Sequence, residues 1–356
     1  MKILYGVQGT GNGHIARARA MCQAFRQHTG VEVDFFFTGR DAEKYFSMEE
    51  FGDYQTRQGM SFSTAHGKVR YGKTAINNNM VRVYKDIQEL DLSSYDVVLN
   101  DFEPISAWAA KKQGVPSISI SHQNAFRYDV PLKGASWLDK VIMNHFAPSD
   151  YYIGLHWYHF DQPILPPIVH TTHSPPCLKN FFLIYLPFEL LLDTINLVER
   201  FSYHQFICYH PDITEIEQHK NLQLRPLCRD SFQEHLRTCA GVIANGGFEL
   251  PSEALSLGKK MLLKPLNGQF EQQSNVATLE QLGLASGMEY LDPSAVRQWI
   301  DEAPGEKVIY PDVAFAISAW VVAGHWEDQR SLFDTLWSQV SYPSRTELHS
   351  ESILYP

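Results

Sequence analysis

Histidine is the side chain whose ordinary titration range lies nearest neutral pH, which makes it the first candidate for moving a proton. His14 closes the run Gly9-Thr10-Gly11-Asn12-Gly13-His14. Glycines such as Gly11 and Gly13 let a backbone approach a ligand closely. A helix that begins beside them offers unpaired N–H groups to an anion or to developing negative charge. A histidine at such a turn can act as a general base, and a capping or structural role is the alternative. Two more runs carry related chemistry. Asn100-Asp101-Phe102-Glu103 supplies carboxylates. Asp101 can orient and charge-stabilise His14 or bind a hydroxylated acceptor, with helix capping by Asp101 and Glu103 as the competing reading. Ser121-His122-Gln123-Asn124 offers His122, either touching substrate or hydrogen-bonded in place.

The second half holds a different set. Asn245-Gly246-Gly247-Phe248 ends an apolar run and precedes a helix near Pro251. The glycine pair exposes amides that can bind a diphosphate at the positive end of the helix. Glu253, one turn further on, can accept hydrogen bonds from both hydroxyls of a ribose. Gln269, Glu271, Gln272 and Asn275 then form a dense polar group. Sugars need this chemistry, because many hydroxyls must be matched by carboxylates and amides.

Several chemistries are excluded or lose support. The dinucleotide fingerprint GxGxxG fails from Gly9, where His14 stands in place of the third glycine, and it fails from Gly11 too. No GK[ST] follows, so a Walker loop is absent. The five cysteines form no CxxC pair, and none of the 15 histidines falls in HxxxH or HExxH spacing on a helix. No metal site is expected. The 30 Lys and Arg against 40 Asp and Glu leave a net charge of −10, a poor balance for a general nucleic-acid binder. The N-terminus lacks the basic start, apolar core and cleavage site of a signal peptide. Val313–Trp326 is shorter than the roughly 20 apolar residues of a membrane span. A cytoplasmic protein is expected.

The elements that must position these residues alternate. The 356 residues suggest two domains at about 100–200 residues each. Strands are expected at Lys2–Val7, Val31–Phe37, Asp96–Asn100 and Ser117–Ser121. Helices are expected at His14–His28, Asp41–Glu50, Ile105–Gln113 and Ser136–His145. The proline-rich stretch Gln162–Pro176 reads as a linker. Alternation then restarts, with strands at Phe181–Leu186, Gln205–Tyr209, Gly241–Ala244 and Lys260–Lys264. The matching helices are Glu189–Phe201, one capped by Asp230 or Ser231 and running to Thr238, Pro251–Leu257 and Gln272–Leu282. Continuous apolar strands between helices predict α/β architecture, as two Rossmann-like doubly wound domains facing a central cleft. The expected division is 1–160, 161–310, terminal helices in 311–340 that cross back to the first domain, and a polar tail 341–356.

NGGFELPSEALSLGKKMLLKPLNGQFEQQSNVA resembles the donor-binding region of GT-B glycosyltransferases, and GTGNGHIARARA resembles their N-terminal turn. The chain is similar to the bacterial peptidoglycan N-acetylglucosaminyltransferase and UDP-glucuronosyltransferase class, in order from about Met1 to Val340. The resemblance implies a glycosyltransferase with a nucleotide-sugar donor, UDP by family default, and no metal or other cofactor. It places His14 as base and Glu253 on the ribose. Glu271 and Gln272 take the place of the pair that holds the donor sugar. Gly247 matches the turn glycine, and Asn245 stands where relatives carry a phosphate-contacting His or Arg. Neutral Asn245 leaves the diphosphate to the amides of Gly246–Phe248, with Glu249 adding a negative charge nearby. The first acid of the E-x7-E pattern of retaining enzymes is replaced by Asn245, which favours inversion.

The basic run His66–Lys85, with Lys68, Arg70, Lys73, Arg82 and Lys85, suggests an anionic acceptor or peripheral contact with an anionic inner membrane. A cell-envelope glycan or lipid-linked saccharide is the expected acceptor, and no nucleic acid is expected as partner. A nucleotide-sugar 2-epimerase using Asp101 and Glu103, and a non-catalytic nucleotide- or glycan-binding protein, are the competing functions.

Overall fold

The structure, a computed structural model, describes residues 1–60, 64–65, 68–69, 79–169, 179–344 and 346, with the backbone alone at 64, 65, 68, 69, 138 and 140. The basic positions Arg70 and Lys73 and residues 170–176 of the proline-rich stretch lie outside the described residues. The first half comprises β1 (Lys2–Gln8), α1 (Asn12–Phe25), β2 (Glu32–Thr38), β3 (Gln55–Thr56), β4 (Thr64–Ala65), β5 (Lys68–Val69), α2 (Met80–Glu89), β6 (Val97–Asp101), α3 (Pro104–Gln113), β7 (Ser117–Ser121), α4 (Trp137–His145), β8 (Tyr151–Leu155) and β9 (Ile164–Leu165). Seven of these strands form a sheet in the order β3-β2-β1-β6-β7-β8-β9, all parallel. The strand order reverses between β1 and β6. In such sheets the crevice at the carboxyl ends of those two strands is where ligands bind.

The second half comprises β10 (Phe182–Tyr185), α5 (Leu191–Val198), β11 (Phe206–Tyr209), β12 (Glu217–His219), β13 (Leu222–Arg225), α6 (Arg229–Thr238), β14 (Gly241–Asn245), α7 (Glu249–Ser256), β15 (Lys260–Lys264), α8 (Phe270–Gln281), β16 (Ser286–Gly287), α9 (Pro293–Asp301), α10 (Val313–Ala323) and α11 (Arg330–Trp337). Its sheet runs β12-β13-β11-β10-β14-β15-β16, parallel except for the β12–β13 pair. Here the order reverses between β10 and β14, so the loop after Asn245 lies at the second crevice. The two doubly wound domains are those expected. The first sheet continues through β9, past residue 160.

Period-two packing explains the apolar strands. Phe35 and Phe37 enter one core with Tyr5 and Phe51, while Phe36 enters the opposite core with Leu4 and Val98. Each fully buried side chain of this kind contributes roughly 1.5–3 kcal/mol. The expected helix Asp41–Glu50 is instead two short 3₁₀ turns, Ala42–Lys44 and Glu49–Phe51. Ser47 has φ of 52° between them, and Tyr45 and Phe51 fold back onto Phe37. Helix α2 begins within the basic run His66–Lys85 and carries its Arg82 and Lys85. Helix α6 begins at Arg229 with Cys228 as its cap position, so Asp230 and Ser231 lie inside it. Beyond residue 311 the chain returns to the first domain. His28 Nε2 is 2.9 Å from Ser318 Oγ, Tyr151 donates to Glu327 at 3.0 Å and Trp337 Nε1 donates to the Ile164 carbonyl at 2.7 Å.

Candidate active site

His14 is the third residue of α1, and Asp101 is the last residue of β6, so the two meet at the first crevice. His14 Nδ1 lies 2.9 Å from Asp101 Oδ1. Arg17, one turn along the same face of α1, donates to both carboxylate oxygens, Nε to Oδ2 and Nη2 to Oδ1, each at 2.8 Å. Burial pushes the Asp101 carboxyl up, but Arg17 and then His14 outweigh it and its pKa is lowered. Asp101 is therefore an anion, and an anion only accepts. His14 Nδ1 must carry the hydrogen, which leaves the Nε2 lone pair to take a proton. Arg17 Nη2 also lies 3.1 Å from His14 Nδ1, but both carry hydrogen in this arrangement, so that approach is packing. Arg17 was not singled out from sequence; its spacing of three from His14 on a helix was the available signal.

Glu103, the other carboxylate of that strand end, does something else. It caps α3, accepting from Ile105 N at 2.8 Å and Ser106 N at 2.6 Å, and it accepts from Thr38. Fully buried and committed, it is not an acid at the cleft.

The facing wall is built by the second domain. Arg17 Nη1 also donates to Glu249 in the first turn of α7, so one guanidinium joins the two halves. Burial pushes the Glu249 carboxyl up to about 8, with Arg17 opposing and Asp101, Glu253 and Glu271 adding to the rise. Gly13 lies under Glu249: a Cβ there would sit 2.9 Å from Glu249 Cγ. Gly11 has open space around it. The glycine pair serves the loop more than expected. Gly246 N–H donates to the Lys264 carbonyl at 3.1 Å and Gly247 N–H to the Asn245 carbonyl at 2.9 Å. Those two amides are thus used internally, and the N–H groups left for an anion are those that open α7. Asn245 Nδ2 donates to the Lys264 carbonyl at 3.1 Å and lies 3.3 Å from Glu189 Oε1, which also pairs with Lys264 Nζ at 2.7 Å. Neither Glu189 nor Lys264 was read from sequence as part of the site.

Glu253 accepts from Gln233 Nε2 at 3.0 Å. Both line an interdomain cleft of about 850 Å³ that opens to solvent, walled by Asn12 and Ala16 of the first domain and Tyr185, Tyr209, Leu227 and Phe232 of the second. This aromatic wall also escaped the sequence reading, because its members come from three separate elements. Glu271, in the first turn of α8, lies 3.3 Å from Gln123 Nε2. Burial pushes its carboxyl up, and the nearby His14 is the first of the groups that oppose this. Gln269 precedes that helix.

The remaining expected contacts turn inward. Gln272 Oε1 accepts from Leu266 N at 3.0 Å. Asn275 is fully buried, donates to the Gly246 carbonyl at 3.1 Å and holds His122 Nε2 at 2.7 Å. His122, read as touching substrate or hydrogen-bonded in place, is the latter: it is 1% exposed, with Nδ1 held 2.8 Å from the Leu155 carbonyl. Its ring stacks on Phe248 at 3.9 Å, and burial brings its pKa down to about 3. Helix α8 starts at Phe270, which puts Gln272 and Asn275 on the face packed against the 245–248 loop. His122, Phe248 and Asn275 close the seam between domains. Among the described residues, no group of three or more His, Cys, Asp or Glu is placed to hold a metal ion.

Residues 1–304 match the model of Glycosyl transferase family 1. The chain belongs to this family, and it is a glycosyltransferase. A curated relative from Methanosarcina mazei, described as an uncharacterized glycosyltransferase, is 36% identical over 77 residues, which is 22% of this chain and 20% of that relative's length. Among solved structures, the glycotransferase of kitacinnamycin superposes with a TM-score of 0.55 at 14% identity, covering 94% of this chain and 95% of its own. SsfS6 of Streptomyces sp. SF2575, complexed with thymidine diphosphate, gives 0.54 at 13% identity with 94% and 96% covered. These neighbours are GT-B glycosyltransferases, and the family's fold is the one observed here. No helix of the described residues is long and apolar enough to cross a membrane.

Proposed function

We propose that the chain transfers a sugar from a nucleoside diphosphate to a hydroxyl acceptor by single displacement with inversion, without a metal ion. The observation that carries this reading is the His14–Asp101 contact of 2.9 Å at the crevice of the first sheet, fixed by Arg17 and facing the donor loop. His14 Nε2 takes the proton of the acceptor hydroxyl as its oxygen attacks the anomeric carbon. Asp101 stabilises the imidazolium that forms. The nucleoside lies against Tyr209, Leu227 and Phe232, and its ribose hydroxyls reach Glu253. The departing diphosphate meets the opening N–H groups of α7, with Lys264 nearby, and Glu271 with Gln269 borders the sugar. The complex of a structural neighbour with thymidine diphosphate supports a nucleoside diphosphate donor. The motif resemblance to the peptidoglycan and glucuronosyl enzymes supports UDP. The 2-epimerase reading loses its second acid, since Glu103 is spent on capping α3.

The acceptor we favour is a cell-envelope glycan or lipid-linked saccharide, on the strength of the basic run and of Met80, Val81 and Tyr84, exposed on α2. Calorimetry with UDP and dTDP tests the donor site: Glu253→Ala should weaken binding at least tenfold. Equal affinity in both proteins refutes the site. Turnover that survives chelation by EDTA supports metal independence, and its loss with recovery on adding Mg²⁺ or Mn²⁺ overturns it.

A further inference from the structure

Phe46 stands apart from the other rings near the end of β2. Its neighbours are anchored. Tyr45 packs on Phe37 and donates its hydroxyl to the Thr38 carbonyl at 3.1 Å, and Met48 is buried in the core. Between them Ser47 takes φ of 52°, a left-handed conformation that a non-glycine residue keeps only where its surroundings hold it. Arg19 of α1 supplies that hold: Nη1 pairs with Glu50, and Nη2 lies 3.5 Å from the Phe46 carbonyl. The loop is thus fixed on both sides of Phe46, yet the ring is 39% exposed and joins none of the buried cores. Of the large apolar side chains exposed among the described residues, it is the one that lines the interdomain cleft. A flat apolar face held in contact with water by a strained loop is a binding surface for a flat apolar partner.

The rest of the cavity identifies that partner. The second domain contributes Leu227 and Phe232, and Phe232 is braced edge-on by Tyr185 and Tyr209, each at 5.2 Å between ring centres. Gln233 and Glu253, joined at 3.0 Å, line the same cavity and offer acceptors to hydroxyls. His14, Asp101 and Glu271 are not among its lining residues. The cavity therefore suits a flat apolar group joined to a hydroxyl-bearing one, set apart from the reacting atoms. That describes a nucleoside rather than an acceptor, which must bring its hydroxyl to His14. We propose that Phe46 stacks on the base of the donor nucleotide, closing from the first domain a slot that Leu227 and Phe232 open in the second. This rests on the reading of the chain as a transferase with a nucleoside diphosphate donor. Because Phe46 and Glu253 belong to different domains, the donor is gripped in full only when the two halves meet.

Calorimetry with UDP, dTDP, CDP, GDP and ADP on wild type, Phe46→Ala, Phe46→Leu and Phe46→Tyr tests the contact. For each nucleotide that wild type binds, Phe46→Ala should weaken binding about 5- to 150-fold, the usual worth of one base stacked on one ring. Phe46→Tyr keeps the ring and should bind as wild type does. Phe46→Leu keeps an apolar side chain without a ring and should stay close to Phe46→Ala. A merely structural role for Phe46 would not separate leucine from tyrosine in this way. Unchanged affinity in Phe46→Ala overturns the contact, and so does binding by Phe46→Leu as tight as wild type or by Phe46→Tyr as weak as Phe46→Ala. These results leave the donor reading standing, because wild type still binds its nucleotide. If wild type binds none of the five, the donor reading fails and the base contact falls with it. Melting temperatures equal to that of wild type show that the variants are folded. Should Phe46→Ala melt lower, the contrast between Phe46→Leu and Phe46→Tyr decides.

Discussion

A carboxylate with no exposure to water stays ionised only where a cation faces it, and Asp101 has Arg17 on both oxygens. The consequence for His14 is orientational: an anionic Asp101 fixes Nδ1–H and turns Nε2 toward the cleft. Asp101→Asn preserves the shape but offers an amide where an anion stood. It should lower turnover by about 10²–10⁴-fold, the usual worth of a positioned acid–base group, while calorimetry finds donor affinity unchanged. A loss of donor affinity with turnover intact would contradict the proton role. Arg17→Ala removes the partner of two buried acids, Asp101 and Glu249, at once. Breaking a buried pair of this kind costs about 3–5 kcal/mol, so urea denaturation should show the transition of the first domain moving to markedly lower concentration.

At the scale of elements, the loop between β14 and α7 depends on a close approach. A Cβ on Gly246 would stand 2.7 Å from Val276 Cγ2 and 2.9 Å from the Gln272 carbonyl, both on α8. Gly246→Ala must push α7 and α8 apart, so UDP or dTDP affinity should fall at least tenfold with a lowered melting temperature. Gly247→Ala, with open space around it, should keep the wild-type melting temperature. This loop also marks how far the sequence could be read. Glycines, the strand before them and the acid at Glu253 are local signals, and they marked the loop that we propose meets the donor. The dyad was legible because each member ends or follows a strong apolar strand. The helix starts were less legible. The polar residues after β15 and the motif resemblance put Gln272 and Asn275 among the sugar ligands, whereas the packing of α8 on the 245–248 loop turns them inward. For His122 the sequence left two readings, substrate contact or hydrogen bonding in place: a strand-end position predicts the cleft, but only the opposite domain could reveal that Phe248 covers the ring and Asn275 holds it. Arg17 and the wall of Tyr185, Tyr209 and Phe232 arise from contacts between elements far apart in the chain, which no local pattern encodes.

For the whole molecule, the seam between domains is held by unlike contacts. Trp157 Nε1 donates to Ser252 Oγ at 2.9 Å, His122 stacks on Phe248, and Arg17 reaches Glu249. The last of these makes closure sensitive to pH. Facing Glu249 are Arg17 from α1, Asp101 from β6, Glu253 on its own helix and Glu271 from α8. Burial in the seam raises its pKa from an ordinary 4.5 to about 8, chiefly by removing water, and opening the seam would return the carboxyl to water. The closed form therefore binds more protons than the open form between those values. Closure is most favoured below pH 4.5, loses ground as pH rises through the window and changes no further above about 8. Glu249→Gln cannot titrate, keeps a side-chain oxygen for Arg17 and should remove that dependence. Distances measured by spin labels at exposed Trp108 and Tyr290, one in each domain, should lengthen with pH between 5 and 8 in wild type and stay constant in Glu249→Gln. Equal pH dependence in the two proteins would place the sensitivity elsewhere in the seam.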